Sequence, residues 1–358
     1  MTVQNTSSKI DPLQAIRAFA SITVMLFHGT SIIHERLGYL FLGNFFLAGF
    51  SGVDVFFVLS GFIILYTSST GKNNTLKFLK KRFIRIYPIY WVITALLIAA
   101  FFISPSAEQS YKGDTGIIFG SFSLFPQKRY VLGVAWTLSY EVIFYLVFAL
   151  TYFRKPTYLF YALTVWIGVI LLFHFLSIKT DIYAINALTS PIILDFSFGC
   201  LVAYLYRQNS DFRHSGWFFW GGFLLFILMW IIFYKLKISD PSTFSGDMHT
   251  VYLFGIPAAF LIFGALYLNV AVPRLLVYLG DASYSLYLVH GTALSILIKI
   301  VTHFNQVLLF SSFWGAIALF ISTLIISCCF YSLVEKKLLM FLNQMFVARR
   351  IQKDLSRI

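Results

Sequence analysis

Charged side chains are scarce in this sequence: they make up 11% of its 358 residues, against about a quarter in an ordinary soluble domain. Apolar residues reach 59%, and the mean hydropathy is +0.81. This composition excludes a water-soluble globule and a disordered chain. Cysteine is also rare, and Cys200, Cys328 and Cys329 lie in apolar runs without metal-ligand spacing. That placement excludes a disulfide-stapled secreted module and favours buried thiols.

Long apolar runs are what the sequence has instead. A membrane-spanning helix needs about 20 apolar residues, and runs of that length exclude a β-barrel, whose strands would alternate over about 10 residues. The sequence therefore predicts an all-α polytopic membrane protein with about ten transmembrane helices. No small-residue cleavage site follows the first run, so we expect it to be retained as the first span. The predicted spans cover residues 13–33, 45–68, 84–104, 134–153, 157–177, 188–206, 216–234, 250–268, 278–300 and 309–332.

The distribution of lysine and arginine predicts the orientation of these spans. Ten spans put both termini on one side, and 19 of the 27 basic residues fall on that side while eight fall on the other. Because basic residues favour the cytoplasmic side, we expect both termini to be cytoplasmic. The net charge of +13 then matches an anionic lipid leaflet and needs no nucleic acid. We predict an integral membrane domain at 1–335 and a basic amphipathic cytoplasmic tail at 336–358.

Ionisable residues at membrane depth are costly and are therefore candidates for function. In the first span, Arg17 and His28 are 11 residues apart, which on a helix is a rise of about 16 Å on nearly the same face. An anion held at Arg17 could reach His28 through an extended arm as long as that of coenzyme A. The alternative is a snorkelling arginine and a histidine bonded to a neighbouring helix.

Two further segments carry charge into the predicted membrane region. Asp54 lies nine residues into the second span, where a carboxylate needs a partner such as an imidazole or a buried arginine. At the start of the third span, Lys81, Arg82 and Arg85 belong to a cationic helix face that suits phosphate groups. Ordinary positive-inside anchoring is the alternative for this face, and it is weaker for Arg85, which lies deepest.

The fourth and ninth spans complete the candidate site. Glu141 lies about 10 Å from the external end of the fourth span and His28 about 8 Å from that of the first, so the two share a depth and could form a general-base pair. A structural glutamate bonded to hydroxyl groups is the alternative. Neighbouring residues are expected to line the same cavity: Trp136, Ser139, Tyr140, Ser283, Tyr284, Tyr287 and His290. The histidines form no metal-binding pattern, so no metal is expected.

Five segments together resemble the membrane acyltransferase-3 family, and in particular its branch that modifies bacterial exopolysaccharide and O-antigen. They follow one another across nearly the whole chain: LQAIRAFASITVMLFH at 13–28, FSGVDVFFVLSGF at 50–62, KKRFIRIYPIYW at 80–91, VAWTLSYEVIFY at 134–145 and LGDASYSLYLVHG at 279–291. Arg17 and His28 match the Arg-x10-His pair of the family, and Arg82 and Arg85 match its RxxR. Glu141 occupies the acidic position of its fourth-span motif.

The resemblance implies a multi-pass protein of the bacterial cytoplasmic (inner) membrane. It implies an acyl-coenzyme A donor, with acetyl-coenzyme A expected, as a co-substrate and not as a permanently bound cofactor. The acceptor would be a hydroxyl of an extracytoplasmic carbohydrate, which could be lipid-linked. The expected site residues are, as catalytic groups, His28, Glu141 and Asp54 and, as donor-binding groups, Arg17, Lys81, Arg82 and Arg85.

Two other functions agree with a polytopic chain that carries buried charges. A polysaccharide or small-molecule transporter is one, although transporters usually have two homologous halves, and no such halving is visible here. A non-catalytic subunit of a polymer-export complex is the other, but it would not require Arg17, His28 and Glu141 at membrane depth. We therefore favour an O-acyltransferase. The sequence leaves open whether His28 is a general base or a transient acyl acceptor.

Overall fold

A computed structural model describes residues 11–43, 45–70, 74–103, 113–178, 180–209, 212–235 and 247–355. Within these ranges it contains ten helices that are long and apolar enough to cross a membrane, which confirms the predicted number. We number them in chain order: α1 Asp11–Leu37, α2 Phe45–Ser69, α3 Thr75–Ile103, α4 Gly133–Thr151, α5 Pro156–Phe175, α6 Tyr183–Gln208, α7 Ser215–Lys235, α8 Met248–Ala265, α9 Ser283–His303 and α10 Phe313–Met345.

Three of the differences from the predicted bounds concern helices that carry charged residues of the predicted site or tail. α3 begins at Thr75, so the basic segment before Ile84 is part of the helix. α9 begins at Ser283, because a separate short helix, Arg274–Asp281, precedes it. The helix of α10 continues through the predicted start of the tail and ends at Leu355. Hydropathy marks only the apolar part of a helix, so charged turns at a helix end escape it.

The second helix lies at the centre of the bundle, and its glycines allow close packing. About 78% of its most apolar window is buried, against 17% for α5. α2 packs on α6, where a Cβ atom added at Gly61 would lie 2.1 Å from the carbonyl oxygen of Phe196, and one at Gly199 would lie 2.0 Å from that of Val58. Small residues favour helix association in lipid because they let backbones approach.

The first helix packs against α9 and against the short helix Arg274–Asp281. A Cβ atom at Gly280 would lie 2.2 Å from the carbonyl oxygen of Gln14, so only glycine permits this approach. The amide nitrogen of Gln14 also donates to Asp281 at 2.8 Å. This contact positions the cationic end of α1 beside the start of α9.

In the described part of the chain, two helices contain a π-helical turn: Val251–Gly255 in α8 and Tyr331–Glu335 in α10. Such turns insert one residue into a helix and occur often at functional sites. In α10 the turn ends at Glu335, whose side chain is completely buried. The predicted domain boundary at 335/336 falls at the end of this turn, inside a continuous helix.

Candidate active site

A cavity of about 240 Å³ lies between α1, α2, α3, α4 and α9. Three arginines and one carboxylate line it: Arg17, Arg82, Arg85 and Glu141. The rest of the lining consists of apolar, aromatic and hydroxyl side chains: Val53, Phe56, Phe57, Leu59, Ser60, Ile63, Ile86, Thr137, Leu138, Tyr145, Ser283, Tyr284 and Tyr287. Four of the charged residues singled out from the sequence therefore share one cavity, which we call the inner cavity.

Aromatic rings hold Arg82 in place. Its guanidinium carbon lies 5.3 Å from the ring centre of Phe78 and 5.5 Å from that of Tyr145, which is cation–π distance. Its Nε atom is buried without a hydrogen-bond partner. A buried cationic donor without a partner is costly unless an anion joins it. The neighbouring Lys81 is exposed on α3 and does not line the cavity.

Arg85 is held from α10. Its Nη1 atom donates to Oε1 of Glu335 at 2.8 Å, and the hydroxyl of Ser285 donates to the other carboxylate oxygen at 2.6 Å. The guanidinium also lies over the ring of Tyr284, at 5.2 Å. Sequence reasoning missed Glu335, because it assigned the residue to the end of the membrane domain and looked for acids inside spans.

Arg17 contacts the start of α9. Its Nε and Nη2 atoms both donate to the hydroxyl oxygen of Ser283, at 3.2 and 3.0 Å. Since a serine hydroxyl carries no charge, neither of these two hydrogen bonds forms the ion pair that a buried guanidinium favours. Arg17 therefore adds positive charge to the inner cavity.

Glu141 belongs to the same cavity and not to the histidine. Its Oε1 atom accepts hydrogen bonds from the hydroxyl of Ser60, at 2.9 Å, and from the hydroxyl of Tyr145. We expected Glu141 to pair with His28 as a general base, whereas in the structure these two hydroxyl groups are its partners. Equal depth does not decide which helices face each other: α4 packs mainly against α3 and α5, whereas α1 packs mainly against α9, α2 and the short helix Arg274–Asp281.

His28 instead stacks on His290. The two ring centres are 5.3 Å apart, and the ring planes are inclined by 29°. The Nδ1 atom of His290 lies 3.0 Å from the carbonyl oxygen of Leu286. Because a carbonyl only accepts, Nδ1 carries the proton, and the Nε2 atom of the neutral ring is an acceptor. That Nε2 atom is buried without a hydrogen-bond partner.

Tyr287 borders the inner cavity and also contacts His290. Its ring lines the cavity, its hydroxyl is hydrogen-bonded to that of Thr137 at 2.9 Å, and its centre is 6.2 Å from the ring of His290. Neither His28 nor His290 is among the residues that line the described cavity. Tyr287 is therefore a residue through which the inner cavity adjoins His290.

Asp54 lies in a different part of the bundle. Its side chain is 2% exposed and lies near the carboxylate of Asp195 on α6, and its Oδ1 atom has no hydrogen-bond partner among the described residues. It does not line the inner cavity, and α2 turns it away from the arginines. The structure thus separates Asp54 from the other charged residues of the predicted site.

Three predicted lining residues of α4 also point elsewhere. The hydroxyl of Ser139 donates to the carbonyl oxygen of Leu124 at 2.7 Å and is 2.6 Å from the hydroxyl of Tyr130. Burial raises the pKa of Tyr130, so its phenol keeps its proton. Trp136 and Tyr140 make an edge contact with each other, with ring centres 5.7 Å apart. The helical repeat directs the cavity-lining positions of α4, such as Glu141, to another face.

Comparison with known proteins points to one family. The family described as an acyltransferase domain matches residues 10–332. The exopolysaccharide production protein ExoZ of Rhizobium meliloti (strain 1021) is 29% identical over 283 residues, which is 72% of this chain and 80% of ExoZ. The acyltransferase MdmB of Streptomyces mycarofaciens is 30% identical over 165 residues, 40% of this chain and 39% of MdmB.

A third relative is longer than this chain. The O-acetyltransferase OatA of Staphylococcus aureus (strain NCTC 8325 / PS 47) is 24% identical over 319 residues, which is 78% of this chain and 49% of OatA. The chain therefore spans about half of OatA. No solved structure matches the chain.

Proposed function

The chain belongs to the acyltransferase-3 family and is a multi-pass integral membrane enzyme, and on that premise we propose that it O-acylates a glycan across a bacterial inner membrane. The donor is acyl-coenzyme A on the cytoplasmic side, with acetyl as the expected group. The acceptor is a hydroxyl of an exopolysaccharide or O-antigen on the other side. The similarity to ExoZ, an exopolysaccharide production protein, supports this class of acceptor.

The observation that carries the proposal is the cluster of three arginines in one membrane-buried cavity. Arg17 donates to a neutral serine, and Arg82 has a buried donor without a partner. Cations in this state favour an anionic ligand, and arginine suits the phosphates of coenzyme A because it donates two parallel hydrogen bonds. Arg17, Arg82 and Arg85 are thus the proposed donor-binding residues.

The excess of basic residues on the side of the termini supports a cytoplasmic position for this cluster. α1 is continuous from Asp11 to Leu37, so His28 lies about 16 Å further along the helix axis than Arg17. An extended thioester arm has about that reach. In this proposal, the ring of Tyr287 moves aside to let the arm approach the histidines.

The chemistry at the two histidines can follow either of two routes. In the first, His28 takes the proton of the acceptor hydroxyl, whose oxygen attacks the thioester carbonyl; the C–S bond breaks, and the thiolate of coenzyme A receives the proton. In the second, the imidazole itself attacks the carbonyl, the C–S bond breaks, and the thiolate leaves. The acceptor hydroxyl then attacks the acyl group, the C–N bond to the imidazole breaks, and the hydroxyl proton goes to the thiolate. In both, His290 packs against the ring of His28 and orients it.

Inside-out membrane vesicles test the proposal. Given labelled acetyl-coenzyme A outside and acceptor glycan enclosed in the lumen, where the extracytoplasmic face lies, the wild-type protein should release free coenzyme A and transfer the label, whereas a transporter or an export subunit should do neither. His28→Ala should abolish transfer at equal membrane abundance. Wild-type transfer by that variant would refute the role of His28, and a labelled adduct trapped without acceptor would select the second route.

A further inference from the structure

A second cavity adjoins the inner one and shares two of its arginines. This outer cavity has a volume of about 330 Å³ and is lined by Arg17 and Arg85 on one side and by α10 on the other. Its α10 residues include Tyr331, Lys336 and Met340. Most of the α10 residues that line this cavity come after residue 332, where the match to the family ends. The ion pair of Arg85 and Glu335 therefore stands between the two cavities.

The size of the inner cavity excludes a whole donor molecule. Sites for drug-sized ligands have volumes of roughly 300–1,000 Å³, and coenzyme A is larger than most such ligands. A cavity of about 240 Å³ can thus hold the narrow thioester arm but not the nucleotide as well. The rest of the donor needs a second space that opens onto the same arginines.

The lining of the outer cavity has the mixed character that a nucleotide requires. Lys336 and the two shared arginines outnumber the two lining carboxylates, Glu335 and Asp281, so the lining is positive overall. Asp281 accepts a hydrogen bond from the side-chain amide of Gln14 at 2.8 Å. Tyr331 and Met340 supply aromatic and apolar surface. The buried carboxylate of Glu335 is paired with Arg85 and bonded to Ser285, so its charge is compensated before a phosphate arrives.

We propose that the outer cavity binds the nucleotide end of the acyl donor, with Lys336 facing its 3′-phosphate. The inference rests on the proposed function. The diphosphate of coenzyme A joins the nucleoside to the arm, so it lies where the cavities meet, at Arg17 and Arg85. The 3′-phosphate is on the far side of the ribose, which brings it to the outer wall formed by α10. The π-helical turn at Tyr331–Glu335 directs Glu335 inward and leaves Lys336 at this wall.

Adjacent lysines offer a matched test. Lys336 lines the outer cavity, whereas Lys337 is equally exposed on the same helix and does not. Binding of coenzyme A and of dephospho-coenzyme A, which lacks the 3′-phosphate, is measured on the purified full-length protein in detergent. A charged hydrogen bond contributes about 1.5–3 kcal/mol, so Lys336→Gln should weaken coenzyme A binding by roughly tenfold or more and leave dephospho-coenzyme A unchanged. Lys337→Gln should change neither.

Filling the cavity gives a second measurement. Met340→Trp should weaken binding of both nucleotides, while Phe341→Trp, an exposed neighbour outside the lining, should weaken neither. If the wild type binds coenzyme A and the Lys336 and Lys337 variants bind it equally, the outer-cavity site is refuted and the proposed function stands. If the wild type neither binds coenzyme A nor consumes acetyl-coenzyme A, both are refuted.

Discussion

Replacement of Arg82 is the most direct perturbation of the donor site. Its guanidinium lies against the rings of Phe78 and Tyr145, and its Nε atom has no hydrogen-bond partner among the described residues. The side chain is therefore ready to donate to a phosphate without first breaking a protein hydrogen bond. Loss of charge-assisted hydrogen bonds should reduce donor binding by about 1.5–3 kcal/mol, which is roughly a 10- to 150-fold rise in the donor KM for Arg82→Ala.

Arg82→Lys separates charge from shape. Lysine keeps the positive charge but loses the planar fork and much of the stacking on the two rings. Its donor KM should therefore lie between those of the wild type and Arg82→Ala. The acceptor KM should stay constant in both variants, because the acceptor meets the enzyme beyond Tyr287.

The assay is initial-rate transfer from external acetyl-coenzyme A in inside-out vesicles that enclose the acceptor at a saturating concentration, at equal protein abundance. Lys80→Ala is the control, because Lys80 is exposed on the same helix and does not line the inner cavity. It should leave the donor KM unchanged. A donor KM for Arg82→Ala equal to that of the control would refute the assignment of the inner cavity to the donor.

Two further predictions concern the side chain of Tyr287 and the packing at Gly280. Tyr287→Trp enlarges the ring that borders the cavity and contacts His290, so kcat should fall by roughly tenfold or more with the donor KM unchanged. Tyr287→Phe should stay near the wild type, and a changed KM at constant kcat would contradict a role of this ring as a barrier to the acyl arm. Gly280→Ala places a Cβ atom against the backbone of Gln14 and should lower the thermal unfolding midpoint in detergent, by a loss of about 1–3 kcal/mol. Gly291→Ala, where no atom lies within 4 Å of the added Cβ, is its control, and equal midpoints would contradict the close contact.

The sequence by itself determined the all-helical, ten-span architecture and the cationic faces. Both are local properties: the length of an apolar run fixes whether a helix can span a membrane, and a spacing of three or four residues fixes which side chains share a face. The spacing of Arg82 and Arg85 therefore predicted a shared helix face without reference to the rest of the chain. The spacing of Arg17 and His28 likewise placed both on one face of one continuous helix.

Only the tertiary structure decided which helices face each other. Arg85 and Glu335 are 250 residues apart in the chain, and no local pattern pairs them. Depth along a helix suggested Glu141 as the partner of His28. In the packed structure, Glu141 is instead hydrogen-bonded to Ser60 and Tyr145, and His28 stacks on His290. Close backbone contacts at glycine, as between α2 and α6, fix the distance and rotation of a helix pair, and hydropathy along a single helix does not predict them.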